Sequence, residues 1–569
     1  MISKIQNVQL VCKALVDYEI DQFVISPGGS SMAIVHTIEN MLPEATIHSV
    51  VDERSASYFA LGLWQQSNKP VALICTSGTA VANYLPGIIE SHYQNAKIII
   101  ITADKDTNYN HQRKTQIIDQ TQIFKDFTKL SVTLHANCID SNYSENKRRI
   151  TSVFKEILNE KSSGPVHINV PVIGPLLDFS VENLDDLKFP KFYNSKDDLI
   201  GLNKEISSGS AVLVVIGQSV RISAELKDEL NKFQKRFNAF IYTESTSNYW
   251  PGYERSSYPK VEIDPDWCAK NLAPDILITF GGNLVTYQMH TFIEKISKSI
   301  EHWSIQYDNH ISDNFGKATK IIDFKPYQLF KSLNINEINT QQQSYKELWN
   351  KNAIVIDENT DELTNITAIK TFCNRVPENS IVHTSILNST RWLQFFQNKP
   401  LRGFSNIGAL GIDGSLSTFI GHASGTKDLA YFITGELSFL YDMNSLSLAK
   451  KFSNLRILLI NNGGGGEFHL SAGKKNIPTL DVNISIKENR AFGTWPEENR
   501  FDHKIVTKIG EIDDHFNWFF DKHDSNKLLE IRTDMEHEGN LMRNIFEENR
   551  STDALQKTKS VLKKILRKN

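Results

Sequence analysis

Short, wholly apolar runs, each closed at once by turn residues and separated by helical patterns, constrain this chain more than any other feature. The first three are Gln22-Phe23-Val24-Ile25-Ser26, Pro70-Val71-Ala72-Leu73-Ile74-Cys75 and Lys97-Ile98-Ile99-Ile100-Ile101. A strand that is apolar on both faces must be covered on both faces, and buried parallel strands with crossover helices have this pattern. Turn residues follow directly: Pro27-Gly28-Gly29 after the first, Ser77-Gly78-Thr79 after the second, Ala103-Asp104 after the third. In an open α/β sheet such strand ends are where ligands bind. Residues 164–171 read as the last strand of this region, and the pattern returns at 211–217, 275–282, 429–435 and 456–462. The expected fold class is α/β, with three domains that each hold a mainly parallel sheet flanked by helices: residues 1–180, 195–345 and 350–569. The polar run 178–210 reads as a linker, and the polar stretch 339–352, with Gln341-Gln342-Gln343, closes the second domain. Residues 72–86 and 430–448 share the order strand, Ser-Gly or Thr-Gly turn, asparagine (Asn83, Asn444) and apolar helix, a faint internal echo.

A length of 569 residues exceeds one ordinary core and fits three packed domains. Hydrophobic residues at 40%, charged residues at 22% and a net charge of -4 place the chain among globular proteins and imply no nucleic-acid partner. The five cysteines, Cys12, Cys75, Cys138, Cys268 and Cys373, are odd in number and far apart, which fits a reducing cytosol better than a disulfide or zinc framework. No signal-peptide core opens the sequence and no run approaches the roughly 18 apolar residues of a membrane span, so a soluble cytoplasmic protein without stable membrane insertion is expected. The basic run 557–568 reads as a solvated terminal helix, with a membrane-surface helix as the alternative.

Two segments suggest chemistry. In Gly435-Glu436-Leu437-Ser438 a carboxylate follows one apolar strand, and 26 residues after Glu436 comes Asn462, inside Asn461-Asn462-Gly463-Gly464-Gly465-Gly466. A carboxylate and an amide oxygen on neighbouring strand ends can hold a magnesium ion that bridges two phosphates, while glycines let the backbone approach the anion. An ordinary βα turn with a glycine loop is the other reading. Likewise Val51-Asp52-Glu53-Arg54-Ser55-Ala56 taken alone is a helix cap or a solvated salt bridge.

Taken together, these segments resemble the thiamine-diphosphate enzymes, and in particular the 2-succinyl-5-enolpyruvyl-6-hydroxy-3-cyclohexene-1-carboxylate (SEPHCHC) synthases, the menaquinone-pathway carboligases. The resemblance runs from about Val24 to Arg532 through Asp52-Glu53-Arg54, Thr76 to Pro86, Thr102-Ala103-Asp104, Asn388-Ser389 and Ser405 to Gly414. It implies thiamine diphosphate with Mg2+ or Mn2+ as cofactors, small-molecule substrates, and a homodimer or homotetramer with sites at the subunit interface. By resemblance Glu53 hydrogen-bonds the aminopyrimidine ring, and Gln116 lies near the reacting carbon. Ser77, Gly78, Gly435, Leu437 and Ser438 line the cofactor, and Ile412 is the apolar wedge that keeps it bent. Glu436, Asn462 and the Gly464 carbonyl ligate the metal. Ser30, Lys105, Gln116, Ser389 and Arg391 are the substrate-binding candidates.

The sequence departs from the family in its charges. Glu436 stands where the family has aspartate. Ser30, Lys105, Asp119 and Ile407 each stand where the family has arginine, and Tyr287-Gln288 stand where it often has Lys-Arg. SEPHCHC synthases bind 2-oxoglutarate and isochorismate, which together carry four carboxylates, and arginine is their natural bidentate partner. Two readings stay open: a less charged donor or acceptor, or the family reaction with Arg113, Lys114, Arg391 or Arg402 filling the pocket. A non-catalytic family member is the reading from another class. No histidine is singled out, although His111 and His469 lie near the motif segments.

Overall fold

The computed structural model describes residues 1–136, 140–159, 164–206, 209–219, 221–250, 257–307, 311–334, 344–356, 361–472, 477–522 and 525–551. Cys138, Gln341-Gln342-Gln343 and the basic run 557–568 lie outside the described residues. The chain forms two compact units, Met1–Asn194 with Gln306–Asp323, and Ser195–Ile305 with Phe324–Asn569.

The first unit contains a six-stranded sheet of β1 (Gln22–Ile25), β2 (Thr46–Ser49), β3 (Val71–Cys75), β4 (Ile98–Asp104), β5 (Leu130–Thr133) and β6 (Val166–Pro171). Its order is β2-β1-β3-β4-β6-β5, parallel throughout. The apolar runs follow from its two covered faces. Ala72, Ile74, Ile99 and Ile101 pack on one face with Leu10 and Val11 of helix Gln6–Asp17 and Ile150 of helix Asp140–Leu158. Val71, Leu73, Ile98 and Ile100 pack on the other with Ala56 and Ala60 of helix Glu53–Ser67 and Ile88 of helix Leu85–Tyr93. Successive side chains of a strand point to opposite faces, so every position has to be apolar.

The middle of the chain supplies β7 (Lys191–Tyr193), β8 (Val212–Ile216), β9 (Ala239–Thr243), β10 (Ile276–Phe280), β11 (Glu301–Ile305) and β12 (Lys320–Ile322). In the first unit β7 pairs with β12, and in the second β11, β10, β8 and β9 lie side by side, all parallel. The run expected as a linker therefore carries structure: β7, then helix Lys196–Glu205, which opens with a capping box of Ser195 and Asp198 and buries Leu199 and Leu202. Its charged exposed face hid a narrow apolar stripe. Helix Ser344–Lys351 likewise occupies the polar stretch expected to close the second domain; Trp349 is buried and stacks on Phe240 of β9 with centroids 4.5 Å apart.

The third sheet comprises β13 (Ile381–Thr384), β14 (Arg402–Ser405), β15 (Ala430–Gly435), β16 (Leu455–Asn461), β17 (Phe501–Val506) and β18 (Asn526–Arg532). Its order, β14-β13-β15-β16-β18-β17, repeats that of the first sheet strand for strand, which gives the sequence echo a topological counterpart. In both sheets the chain leaves the first strand to one side and returns on the other, so the crevice beyond β1 and β3, and that beyond β13 and β15, are the expected ligand sites. No described helix is long and apolar enough to cross a membrane.

Candidate functional site

In the first unit, β1, β3 and β4 deliver Ser30, Ser77-Gly78 and Lys105 to the carboxyl edge of the sheet. Gly28 permits this convergence, because a Cβ there would lie 2.3 Å from Thr76 Cβ. The Ser30 N–H donates to Thr76 Oγ1 at 3.1 Å, and Ser30 Oγ lies 3.3 Å from Ser77 Oγ. Gly78, at φ 88°, donates its N–H to Gln120 Oε1 at 3.0 Å, and Gln116 Nε2 donates to Ser77 O at 3.1 Å. Behind them runs a buried ladder: Gln120 Nε2 to Asn169 Oδ1 at 2.9 Å, and Asn169 Nδ2 to Asp104 Oδ2 at 2.8 Å. Burial raises the Asp104 carboxyl against those donors. This ladder holds the Ser77-Gly78 turn, and sequence reasoning missed it because its members lie 49 and 65 residues apart.

Glu53 is the first residue of its helix and is half-buried, capped by Asp52, whose Oδ1 accepts from Ser55 N–H at 2.9 Å. Its charge reaches the Cys75 thiol and the Tyr84 hydroxyl, both of which burial pushes up. Lys105 Nζ donates to Thr115 O at 2.9 Å. Of the alternative cations, Arg113 is exposed and Lys114 Nζ sits 3.2 Å from the centre of the Tyr109 ring.

In the second unit, β13, β15 and β16 bring Ser389, Gly435 to Ser438, and Asn462 together around a cavity of about 190 Å3, which Ile412, Gly464 and Phe468 also line. Ser385, which sequence reasoning did not single out, ties the two nearer strand ends: its Oγ donates to Ser389 Oγ at 3.1 Å and accepts from Gly435 N–H at 3.4 Å. Ser438 Oγ donates to Ile412 O at 2.7 Å and thereby fixes the loop that carries the apolar wedge. Gly464 is required by contact, since a Cβ there would lie 2.7 Å from both Met535 Sδ and Ser485 O.

Glu436 is buried, and burial pushes its carboxyl up to about 7 against the pull of backbone N–H groups at 436, 464 and 462 and the charge of Arg490. With Nδ2 turned inward, the Asn462 amide donates to Glu436 Oε1 at 3.2 Å and to Gly464 O at 2.7 Å. Turned outward, it puts Oδ1 in the same place, so that a carboxylate, an amide and a carbonyl oxygen converge. Three oxygens of this kind suit a hard divalent cation. Among the described residues there is no cluster of three or more histidine, cysteine, aspartate or glutamate side chains that would offer a competing centre.

A larger cavity, about 720 Å3, shares Ile386, Leu387, Glu467 and Phe468 with the first. Arg391 lines it and is already matched. Its Nε donates to Glu262 Oε1 at 2.9 Å, Nη1 to Glu467 Oε2 and Asn388 Oδ1 at 2.5 Å each, and Nη2 to Glu467 Oε1 at 3.0 Å. Arg402 begins β14 and so lies at the amino end of its strand, away from the ligand edge. Tyr287, Gln288 and Ile407 line the large cavity without adding charge. His469 Nε2 meets Asp481 at 2.8 Å, and His111 is exposed.

Residues 6–123 match the family described as thiamine pyrophosphate enzyme, N-terminal TPP binding domain. The 2-succinyl-5-enolpyruvyl-6-hydroxy-3-cyclohexene-1-carboxylate synthase of Bacteroides fragilis (strain ATCC 25285) is 30% identical over 528 residues, covering 91% of this chain and 94% of the relative. The synthase of the same name from Bacteroides thetaiotaomicron is 29% identical over 514 residues, covering 88% and 90%. That of Phocaeicola vulgatus is 29% identical over 555 residues, covering 96% and 99%.

Proposed function

Because the chain belongs to the 2-succinyl-5-enolpyruvyl-6-hydroxy-3-cyclohexene-1-carboxylate synthase family, we propose that it is a thiamine-diphosphate-dependent transferase that decarboxylates a 2-oxoacid and forms a carbon–carbon bond. The family's pair, 2-oxoglutarate and isochorismate in menaquinone biosynthesis, is the default reaction. The observation that carries the proposal is the convergence of Glu436 Oε1, the Asn462 amide and Gly464 O beside a cavity edged by Ile412.

Thiamine diphosphate, when bound, supplies the electron sink for loss of carbon dioxide. Glu436, Asn462 and the Gly464 carbonyl would hold the cation, Mg2+ or Mn2+. Gly435, Leu437 and Ser438 border the same cavity as Ile412, whose side chain would support the bound cofactor. Glu53 would hydrogen-bond the aminopyrimidine ring. Ser77, Gly78 and Gln116, held by the Gln120–Asn169–Asp104 ladder, shape the place of the reacting carbonyl, with Ser30, Lys105 and Ser389 as polar neighbours of the substrates.

The chain acts as a homodimer or homotetramer in which Glu53 of one subunit serves the metal centre of another. A half-buried Glu53 flanked by exposed Val51, Tyr58 and Phe59 supports this, since clustered exposed apolar side chains mark contact surfaces. Four free, buried thiols, Cys12, Cys75, Cys268 and Cys373, are in keeping with a cytoplasmic setting.

Calorimetric titration of cofactor-free protein with thiamine diphosphate and Mg2+ tests the cofactor site, and tight, metal-dependent binding is expected. Product analysis with 2-oxoglutarate and isochorismate then tests the default pair; consumption of neither rejects it. One observation favours a second reading with a less charged donor or acceptor: Arg391, which lines the large cavity, is held by two carboxylates.

A further inference from the structure

In the second unit the chain leaves β8 for β9 on one side and returns as β10 on the other, so the crevice beyond β8 and β10 is a third place where a parallel sheet would receive a ligand. Here the chain's own backbone occupies it. Gly217 N–H donates to Phe280 O at 2.8 Å, Gly282 N–H to Gln218 O at 2.8 Å and Gln218 N–H to Asn283 O at 3.0 Å. Glycine permits this approach, since a Cβ on Gly217 would lie 2.0 Å from Gly282 O. The two side chains so brought together both reach the segment that follows β14. Gln218 Nε2 donates to Ser405 O at 2.9 Å, and Asn283 Nδ2 donates to Ile407 O at 3.1 Å and to Gly408 O at 3.0 Å. Asn283 is otherwise exposed, and those two carbonyls orient its amide. Asn248, beyond β9, holds β14 itself: its Nδ2 donates to Gly403 O at 3.0 Å and its Oδ1 accepts from Gly403 N–H at 2.9 Å.

Residues 405–412 need such support. Gly408 and Ala409 are exposed, Ile412 is half-buried, and Leu410 is a non-glycine residue at φ 55°. A left-handed leucine is sterically unfavourable and persists only where its surroundings impose it. The segment is pinned at its far end by the Ser438 hydroxyl on Ile412 O, and at its near end by Gln218 and Asn283. It also forms a partition, because Ile407 and Leu410 line the large cavity while Ile412 lines the one that holds the cation-binding oxygens.

We propose that Asn283, assisted by Gln218, is a positioning residue for the cofactor: through the backbone of residues 405–408 it sets where Ile412 stands. This rests on the thiamine-diphosphate reading given above and extends that machinery to the middle sheet, which supplies none of the described residues lining the cofactor cavity. The effect is confined to one part of the ligand. A wedge displaced by a fraction of an ångström to an ångström loses its contacts with the rings, whereas the oxygens of Glu436, Asn462 and Gly464, which would meet the cation and the diphosphate, stay in place.

The test compares two ligands of the full-length protein by calorimetry, each with Mg2+: thiamine diphosphate, which needs the wedge, and inorganic pyrophosphate, which occupies only the cation and phosphate end. Asn283→Ala is expected to raise Kd for thiamine diphosphate by about tenfold and to leave Kd for pyrophosphate within about twofold. Ile412→Ala should give the same pattern, and the double variant should bind no more than about twofold more weakly than Ile412→Ala alone, because one residue acts through the other. Gln218→Ala, which releases Ser405 only, repeats the measurement with a smaller loss and serves if Asn283→Ala does not fold. Equal loss for both ligands, no loss for either, or losses that multiply in the double variant overturn the inference while the cofactor reading stands. Wild-type protein that binds no thiamine diphosphate overturns the cofactor reading, and this inference with it.

Discussion

Replacing Arg391 by glutamine removes a cation shared by the buried Glu262 and the half-buried Glu467, and the cost follows from what is left behind. Glu262 and Glu467 retain 7% and 18% of side-chain exposure, so neither can rehydrate fully in place. Three hydrogen bonds between ionised groups disappear, each worth roughly 1.5–3 kcal/mol. Water entering from the adjoining cavity, and the partners the two carboxylates keep, recover part of that loss. The net destabilisation should come to about 3–5 kcal/mol, the range for a broken buried pair. For a cooperative unit as large as Ser195–Ile305 with Phe324–Asn569, this lowers the midpoint of thermal unfolding by about 4–7 °C. Scanning calorimetry of wild type and Arg391→Gln measures it. The triple variant Arg391→Met, Glu262→Gln, Glu467→Gln should recover most of the loss, because it strands no charge. A single variant that melts within about 1 °C of wild type would refute the reasoning, since it would mean that the two glutamates do not need the arginine.

Glu53→Gln should abolish turnover while circular dichroism and cofactor affinity stay near wild type; unchanged activity would remove Glu53 from the mechanism. Glu436→Ala, or chelation of the metal with EDTA, should weaken calorimetric binding of thiamine diphosphate by about tenfold or more. Gly464→Ala introduces a Cβ 2.7 Å from Ser485 O, and should cost about 1–3 kcal/mol in a melt and reduce cofactor affinity in the same protein. Glu244 is buried among Tyr242, Glu262 and the N–H groups of Val285 and Thr286, and burial pushes its carboxyl from 4.5 to about 7. The folded state therefore binds more protons than the unfolded state between those values, so this group's contribution to stability falls as pH rises from about 4.5 through about 7. Glu244→Gln should flatten that slope in melts taken across the interval.

The strands were legible because both faces of each sheet are covered, which forces an unbroken apolar run such as Ile98 to Ile101. The turns at the carboxyl edge were legible for a related reason: Ser77-Gly78 shortly after β3 and Gly435 at the end of β15 mark places where the backbone turns without bulk. Helices at 196–205 and 344–351 were not legible, since a polar exposed face outweighs two buried side chains in composition. Arg391 illustrates the deeper limit. Its sequence position suggests a substrate cation, yet its charge is committed to Glu262, 129 residues away, and to Glu467, 76 residues away. No local spacing reports such a pairing. Ser385 and the Asp104–Asn169–Gln120 ladder were missed likewise, because their value lies in which strand end they touch.

The amide of Asn462 can rest in either of two orientations, and that bears on what becomes of the protein when metal is scarce. A cage of three bare oxygens would repel itself once emptied and would loosen the loop around it. Here half a turn of one side chain exchanges an acceptor for a donor and stitches Glu436 to Gly464 at 3.2 and 2.7 Å. The same side chain that would offer an oxygen to a cation can, rotated, tie the Glu436 carboxyl to the Gly464 carbonyl through its own N–H groups, so this corner of the cavity can be held by hydrogen bonds within the chain.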